Sequence, residues 1–236
     1  MKRNYNDNAK PIEDTSYNVH DTILKLADMN GYGLNALDLG AGFGLLSMGL
    51  KGFGYKVTAC DLDPQRVKHI RKQQIRCDRL DLNKKLPYKK NAFDLVVSCE
   101  SIEHLECPCE FMREIGRVTK RDGVLIISTP NILNWYSRMK FMLSGEYNNY
   151  FSEKEFIGDG YHISPMHFFQ LRWILETAGF RIDKITSNQF TGLINTSGLN
   201  IFLSSLLMLP LRSVMKPKDR SILEGDILII KAVKVK

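Results

Sequence analysis

The sequence lacks a long apolar segment, both at its start and elsewhere. Its first residues, MKRNYNDNAKPIED, are polar, which predicts that they form no secretory signal peptide. The main apolar stretch, from Leu199 to Leu211, is about 13 residues long and includes Asn and Ser, whereas a membrane-spanning helix needs about 20 apolar residues. We therefore predict a cytoplasmic protein that does not cross a bilayer.

Cysteine is also scarce. The five cysteines are odd in number and scattered along the chain, which argues against a disulfide framework. Cys107 and Cys109 flank one proline, a spacing too short for a zinc ribbon, and no second pair follows them. These features predict free thiols in a reducing compartment.

The remaining composition is that of a globular domain with one basic segment. Hydrophobic residues make up 44% of the 236 residues and charged residues 25%, which is sufficient for a sizeable core. The net charge is +7, and the stretch from Arg66 to Lys90 is rich in Lys and Arg but contains only Asp78 and Asp81 as acids. Such a run attracts nucleic acid or an anionic membrane surface. A solvated helix face followed by a loop explains it as well, and we favour that interpretation.

Segments that predict strands alternate with segments that predict helices. Strands are predicted at LNALDLG, GYKVTACD, AFDLVVSCE, GVLIISTP, RIDKITS and DILIIKAVKV. Helices are predicted at VHDTILKLADMNG, LLSMGLKGF, PQRVKHIRKQQ, CEFMREIGRVTK and SPMHFFQLRWILETAGF. Several strands are apolar on both faces, so we expect an α/β fold with a mostly parallel sheet covered on both sides.

We interpret the chain as one domain with four regions. Residues 1–33 predict an N-terminal helical cover, 34–130 a ligand-binding half, and 131–164 an aromatic-rich, irregular lid. Residues 165–236 complete the domain, with a helix entered through a Ser164 cap and ended by Gly179. An apolar insertion at 190–217 could cover a substrate cleft, lie on a membrane surface or pack inside, and these three roles stay open.

The first predicted strand ends in a glycine-rich turn. LDLGAGFG places Asp38, Gly40, Gly42 and Gly44 where the backbone can turn tightly and approach a ligand. Asp61 ends the next strand about 20 residues later, where a carboxylate can accept both ribose hydroxyls of a nucleotide. A dinucleotide-binding dehydrogenase is the rival interpretation of the turn, but the third glycine does not match the G-x-G-x-x-G spacing.

Four ordered motifs carry a family resemblance. LDLGAGFG, CDLDP, DLNKKLPYKKNAFDLVVSCESIEHL and REIGRVTKRDGVLIISTPN together resemble the class I S-adenosylmethionine-dependent methyltransferases over residues 34–131. The resemblance implies a Rossmann-like fold with a seven-stranded, mostly parallel sheet, helices on both faces and an inserted lid. It also implies S-adenosylmethionine as the cofactor.

The same resemblance assigns cofactor contacts. The glycine turn would pass the methionine part, Asp61 would hold the ribose, and Leu62 would pack on the adenine. Asp81–Leu82 would meet the adenine edge, and Ser98–Cys99 would line the amino-acid tail. The predicted cofactor-binding residues are Asp38, Gly40, Ala41, Gly42, Gly44, Asp61, Leu62, Asp81, Leu82, Ser98 and Cys99.

An E-x-x-E-H pattern follows the third predicted strand. Glu100, Glu103 and His104 have spacings that stack side chains on one helix face. A cap or a salt bridge is one interpretation. The pattern also resembles the metal-binding segment of ubiquinone-pathway O-methyltransferases and of enzymes that methylate the 2′-hydroxyl at small-RNA 3′ ends. In the RNA group a downstream histidine completes the site, for which His162 is the best match and His167 the reserve.

This pattern defines the predicted catalytic chemistry. A divalent ion, Mg or Mn, would be held by Glu100, Glu103, His104 and His162, and would lower the pKa of an acceptor hydroxyl. Without a metal, His104 or His162 would take the proton as a general base. We therefore assign Glu103, His104 and His162 as candidate catalytic residues.

The expected reaction is O-methylation. The C-terminal half resembles bacterial methyltransferases that modify surface glycans or lipid-linked sugars, so the first expectation is a sugar hydroxyl. The acceptor would then be met at the inner membrane surface through the basic run and the apolar insertion. An RNA 3′ end, a quinone precursor and a non-catalytic cofactor-binding module are the alternatives. The sequence leaves the oligomeric state open.

Overall fold

The computed structural model describes residues 18–27, 30–150, 162–188, 222 and 225–236. The strands are β1 (Asn35–Leu39), β2 (Lys56–Asp61), β3 (Arg76–Arg79), β4 (Phe93–Ser98), β5 (Thr119–Pro130), β6 (Phe180–Ser187) and β7 (Ile227–Lys234). The helices are α1 (Val19–Leu26), α2 (Leu45–Gly52), α3 (Pro64–Lys72), α4 (Pro108–Val118), α5 (Trp135–Ser144) and α6 (Phe168–Thr177), with one 3-10 turn at Ile102–His104.

The seven strands form one mixed sheet in the order β3-β2-β1-β4-β5-β7-β6. The pairs from β3 to β5 are parallel, and β7 runs antiparallel between β5 and β6. The order reverses at β1 and β4, so their carboxyl ends open a crevice at the edge where α/β proteins bind ligands. The predicted α/β fold with a seven-stranded, mostly parallel sheet is confirmed.

Both faces of the sheet are covered by helices with one apolar side. On one face, α4 and α6 pack buried side chains such as Met112, Ile115 and Leu171 against the strands. On the other face, α1 and α2 contribute residues such as Ile23 and Leu50. This double coverage explains why the central strands are apolar on both faces.

Three local predictions are corrected by the structure. The basic segment is not only helix and loop, since Arg76–Arg79 forms the edge strand β3. The region at 131–164 is not irregular throughout, since Asn134 caps the regular helix α5 through the amide of Ser137. Helix α6 begins after His167, whose side chain accepts from the Gln170 amide, and not after Ser164.

Several predictions concern residues outside the described ranges. Most of the N-terminal cover region and the apolar insertion at 190–217 are not described, so their predicted roles stay predictions. Within the described ranges, no helix combines the length and apolarity needed to cross a bilayer.

Candidate active site

The glycine turn after β1 has the backbone that its sequence predicts. Gly40, Gly42 and Gly44 have φ angles of +73°, +55° and +81°, a region that side chains rarely adopt. A Cβ atom on Gly40 would lie 2.3 Å from the Ser101 hydroxyl oxygen. The amide of Ala41 donates to the Cys60 carbonyl at 2.9 Å, which ties the turn to the end of β2. The turn therefore keeps an open backbone surface between β1 and β4.

Asp61 lies beside this turn with its carboxylate fixed by backbone amides. The amide of Gly42 donates to its Oδ2 and that of Asp63 to its Oδ1, both at 2.9 Å. Arg66 lies 3.7 Å from the same Oδ2. Burial raises the pKa of Asp61, and the Asp63 amide and the Arg66 charge oppose that shift. Each oxygen keeps a lone pair for a ribose hydroxyl.

Asp38 supports the glycine turn through a contact with α2. It is buried, and its Oδ2 accepts from the Ser47 hydroxyl of α2 at 2.5 Å. Burial raises its pKa to about 6, although the bond from Ser47 lowers it. The contact links the end of β1 to the first turn of α2, so Asp38 holds the glycine turn in place.

The predicted adenine and tail contacts occupy the same edge of the sheet. Leu62 is 60% exposed directly after Asp61, which suits a side chain that packs on a planar ring. The Leu82 side chain lies 3.8 Å from the Cβ position of Gly40, and Asp81 accepts from the Asn83 amide at 3.0 Å. Ser98, at the end of β4, is fully buried.

The buried Ser98 provides a direct test of the cofactor's fit. Its hydroxyl oxygen has no hydrogen-bond partner among the described residues, and a buried hydroxyl without a partner is costly. The next residue, Cys99, is half-buried, and its sulfur contacts the Ser128 hydroxyl at 3.6 Å. A polar cofactor tail that reached Ser98 would satisfy this orphan group. The residues present therefore fit S-adenosylmethionine.

A second group of side chains lies beyond the carboxyl end of β4. Glu103, His104 and His162 each place one possible metal-ligating atom within 4.8 Å of the other two. The rings of His104 and His162 have centroids 4.6 Å apart. We call these three residues the carboxylate–imidazole triad. Carboxylate and imidazole together suit Mn²⁺, Fe²⁺ or Zn²⁺, and the carboxylate alone also suits Mg²⁺.

Glu103 is the most buried member of the triad. It has no exposed surface, and its Oε2 accepts from the Thr129 hydroxyl of β5 at 3.1 Å. Its Oε1 has no hydrogen-bond partner among the described residues. Burial raises the pKa of Glu103 to about 8, and the charge of Glu100 adds to that shift. A cation or a proton shared with a histidine would satisfy this oxygen.

His162 reaches the triad through contacts with the 3-10 turn. The amide of Ser164 donates to the Glu103 carbonyl at 2.9 Å, and its hydroxyl donates to the Leu105 carbonyl at 2.6 Å. His162 Nδ1 bonds the Asn149 carbonyl, which can only accept, so Nδ1 carries the proton. The other ring nitrogen, Nε2, is then the one that can bind a metal or take a proton.

Glu100 departs from the helical arrangement that its spacing predicts. Its φ of +43° is left-handed, and the 3-10 turn begins only at Ile102, so the expected helix face does not form. Its amide donates to the Ser128 hydroxyl at 3.1 Å. Glu100 is not part of the triad, although its charge acts on Glu103. The predicted four-ligand set is therefore reduced to three in this structure, and His167 caps α6 instead.

Sequence reasoning missed the groups that surround the triad. Thr129 bonds Glu103, and Tyr150 is buried with its ring 5.3 Å from that of His162. Ser101 fills the space above Gly40, and its hydroxyl donates to the Cys99 carbonyl at 2.9 Å. The position of Thr129 at the end of a predicted strand offered one signal, and the aromatic residues of the predicted lid pointed to Tyr150 in general terms.

Comparisons with known proteins identify the family to which the chain belongs. A family model described as a methyltransferase domain matches residues 12–185. A probable S-adenosylmethionine-dependent methyltransferase of Mycolicibacterium smegmatis is 26% identical over 165 residues, covering 70% of this chain and 58% of that protein. A ubiquinone biosynthesis O-methyltransferase of Caulobacter vibrioides is 33% identical over 105 residues, covering 42% of each. The chain thus spans about half the length of these relatives.

A solved structure extends the likeness to almost the whole chain. The crystal structure of an S-adenosylmethionine-dependent methyltransferase from Archaeoglobus fulgidus matches with a TM-score of 0.62 and 19% identity, covering 91% of this chain and 94% of that one. At this identity the likeness shows the fold alone.

Proposed function

This chain belongs to the class I S-adenosylmethionine-dependent methyltransferases, and on that premise we propose that it methylates a hydroxyl group of a sugar in a surface glycan or lipid-linked saccharide. The observation that carries the proposal is the carboxylate–imidazole triad, Glu103, His104 and His162. Glu103 follows Ser101, which lies against the glycine turn, by two residues. A methyltransferase that acts on an amine or a carbanion has less need of such a group, whereas a hydroxyl must lose its proton.

The triad supplies a base at the place where that proton leaves. When bound, S-adenosylmethionine would supply an electrophilic methyl group for the acceptor oxygen. His162, with Nδ1 bonded to Asn149, presents Nε2 to the acceptor hydroxyl and takes its proton. General-base catalysis of this kind contributes about 10²–10⁴-fold in rate. In its carboxylate form, the buried Glu103 would stabilise the imidazolium that forms.

The same three side chains fit a divalent cation. The fully buried Oε1 of Glu103 has no hydrogen-bond partner in the part of the chain that the structure describes. Together with the two half-buried imidazoles, it would hold Mn²⁺ or Mg²⁺. Such an ion would bind two neighbouring hydroxyls of a sugar and lower the pKa of one of them. Because a protonated Glu103 is a poor ligand, binding of the ion would release its proton.

The proposal of a sugar rests on two aromatic side chains at the start of α5. Trp135 and Tyr136 begin α5 directly after Asn134, whose amide donates to the Gly225 carbonyl at 3.3 Å. Their rings lie edge to face with centroids 6.0 Å apart. Aromatic rings on a helix that follows the carboxyl end of β5 suit the apolar face of a sugar ring. The likeness of the C-terminal half to glycan-modifying methyltransferases points the same way.

A quinone precursor is the second candidate. The Caulobacter vibrioides relative bears the name of a ubiquinone biosynthesis O-methyltransferase. A phenolic diol would use the triad as a sugar diol does, with an acceptor that already has a lower pKa. The rival acceptors therefore differ in the ring that the aromatic side chains must contact.

The test is to incubate the purified chain with methyl-labelled S-adenosylmethionine and, separately, a glycolipid extract, an RNA extract and a dihydroxybenzene quinone precursor. We expect label in the glycolipid, stable as a methyl ether, and its loss in His162→Ala. Label in RNA that disappears after periodate pretreatment of the RNA, or label in the quinone precursor alone, would contradict the sugar proposal. His167→Ala, which changes a histidine that caps α6, is the matched control.

A further inference from the structure

A basic groove runs along the outer side of α3, away from the triad. It has a volume of about 460 Å³ and is bounded by helix α3 and the edge strand β3. Its lining residues are Pro64, Val67, Lys68, Arg71, Lys72 and Arg79. Four of these six are cations, and Pro64 and Val67 form an apolar floor between them.

The four cations of the groove differ from their neighbours in sequence. In the same basic segment, Arg66, Arg76 and Lys84 each form an ion pair with a nearby aspartate. Among the described residues, no acidic side chain lies within 4.0 Å of the cations that line the groove. The described residues therefore form no ion pair with these four cations, and their positive charge can attract an anion from outside.

The guanidinium groups are held in place by backbone oxygens. Arg71 Nε donates to the Cys77 carbonyl at 2.8 Å, and Arg79 Nε donates to the Leu62 carbonyl at 3.1 Å. These bonds use one N–H group of each side chain and leave the fork of the guanidinium for a second acceptor. A fork of this kind matches the paired oxygens of a phosphate.

Two structural roles explain part of this arrangement. Cations in the last turn of α3 favour the negative end of its dipole, and charged residues on an edge strand prevent pairing with another sheet. The first role does not apply to Arg79, which lies on β3. The second does not apply to Lys68 and Lys72, which lie on the helix. Neither role requires that both elements turn their cations into one groove.

The lining also distinguishes between two polyanions. Single-stranded nucleic acid is held by aromatic side chains on which its bases stack, and none of the groove's lining residues is aromatic. Long aliphatic stems around an apolar floor instead suit the glycerol and headgroup region of a lipid bilayer. Arg79 is in register with Asp61, so one end of the groove lies at the same sheet edge as the nucleotide-binding carboxylate.

We propose that this groove binds the phosphate headgroups of an anionic bilayer and thereby holds the protein at a membrane surface. The inference adds to the proposed function without resting on it, because the groove is separate from the triad. In a protein docked in this way, the ligand-binding edge of the sheet, where Asp61 lies, faces the bilayer. A lipid-carried acceptor would then be presented where the methyl group is available.

The experiment measures vesicle binding by sedimentation, without cofactor or acceptor. The full chain is mixed with phosphatidylglycerol-rich vesicles and with vesicles of phosphatidylcholine alone. We expect binding to the anionic vesicles only, weakened by salt. The double variant Lys68→Gln/Lys72→Gln should bind about 25-fold more weakly, since each lysine near an anionic surface contributes about fivefold.

The matched control is Lys89→Gln/Lys90→Gln, which removes the same charge from an exposed loop before β4. It should retain binding within about twofold, because both lysines lie outside the groove. Equal losses in the two double variants would show that net charge alone attracts the protein and would overturn the proposal. Failure of the unaltered chain to bind anionic vesicles, or binding to RNA in preference to them, would overturn it as well. Thermal unfolding of each variant confirms that it is folded.

Discussion

The burial of Glu103 predicts an unusual dependence of stability on pH. Its pKa is raised from 4.5 to about 8, because burial away from water disfavours the charged form of the carboxyl. A carboxyl group whose pKa is higher in the folded state binds its proton more tightly there. Its stabilising contribution is therefore complete below pH 4.5 and is lost as the pH rises to about 8.

The perturbation that isolates this effect is Glu103→Gln, which keeps the shape of the side chain but cannot ionise. Between pH 5 and pH 8, linkage predicts that the wild-type protein loses about 3 kcal/mol more stability than the variant. The amide of the glutamine adds a constant cost because its N–H groups lack partners, so the slopes are compared and not the absolute stabilities. Asp38, whose pKa is also raised, contributes equally to both proteins.

The assay is urea unfolding of both proteins at pH 5, 6, 7 and 8 with a chelator present. The chelator matters because a bound cation would favour the charged carboxylate. Glu110→Gln, in an exposed glutamate that pairs with Arg113 on α4, is the control and should leave the slope unchanged. Parallel slopes for the wild-type protein and Glu103→Gln would refute the assignment of Glu103 as a protonated, desolvated carboxyl.

Three further predictions concern the cofactor and the triad. Gly40→Ala should abolish binding of S-adenosylhomocysteine in calorimetry, because its Cβ would meet Ser101 at 2.3 Å, whereas Gly52→Ala, with open space around it, should bind normally. Asp61→Asn should weaken that binding by about 10–100-fold, since it removes the charge from the hydrogen bonds to the ribose; unchanged affinity would contradict this role. Mn²⁺ at about 100 times its Kd should raise the free energy of unfolding of the wild-type protein by about 2.7 kcal/mol, measured by thermal unfolding. An equal stabilisation of His162→Ala would exclude the triad as the metal site.

The strands that are buried on both faces were the most predictable part of the fold. β1, β4 and the second half of β5 are mostly apolar because helices cover both of their faces, and their carboxyl ends could be placed from the sequence. β3 could not be found in this way. It lies at the edge, and of its four residues only Cys77 is buried, so the hydrophobic signal of a strand is missing.

The candidate site was predictable where its residues are close in sequence. Glu103 and His104 stand side by side, and the glycine turn and Asp61 follow a recognisable spacing. The approach of His162 depends on bonds from Ser164 to the 3-10 turn, which join residues about 60 positions apart and leave no periodic pattern. The left-handed backbone of Glu100 was equally hidden, because a glutamate rarely adopts it.

In the proposed mechanism, the triad faces the methyl group of the cofactor, with room for one acceptor oxygen between them. A crystal structure of the protein with S-adenosylhomocysteine measures this directly. We expect the sulfur to point at the imidazoles from about 7 Å, the span of one methyl group, one oxygen and one hydrogen bond. A sulfur turned away from His104 and His162, or separated from them by packed side chains, would contradict it.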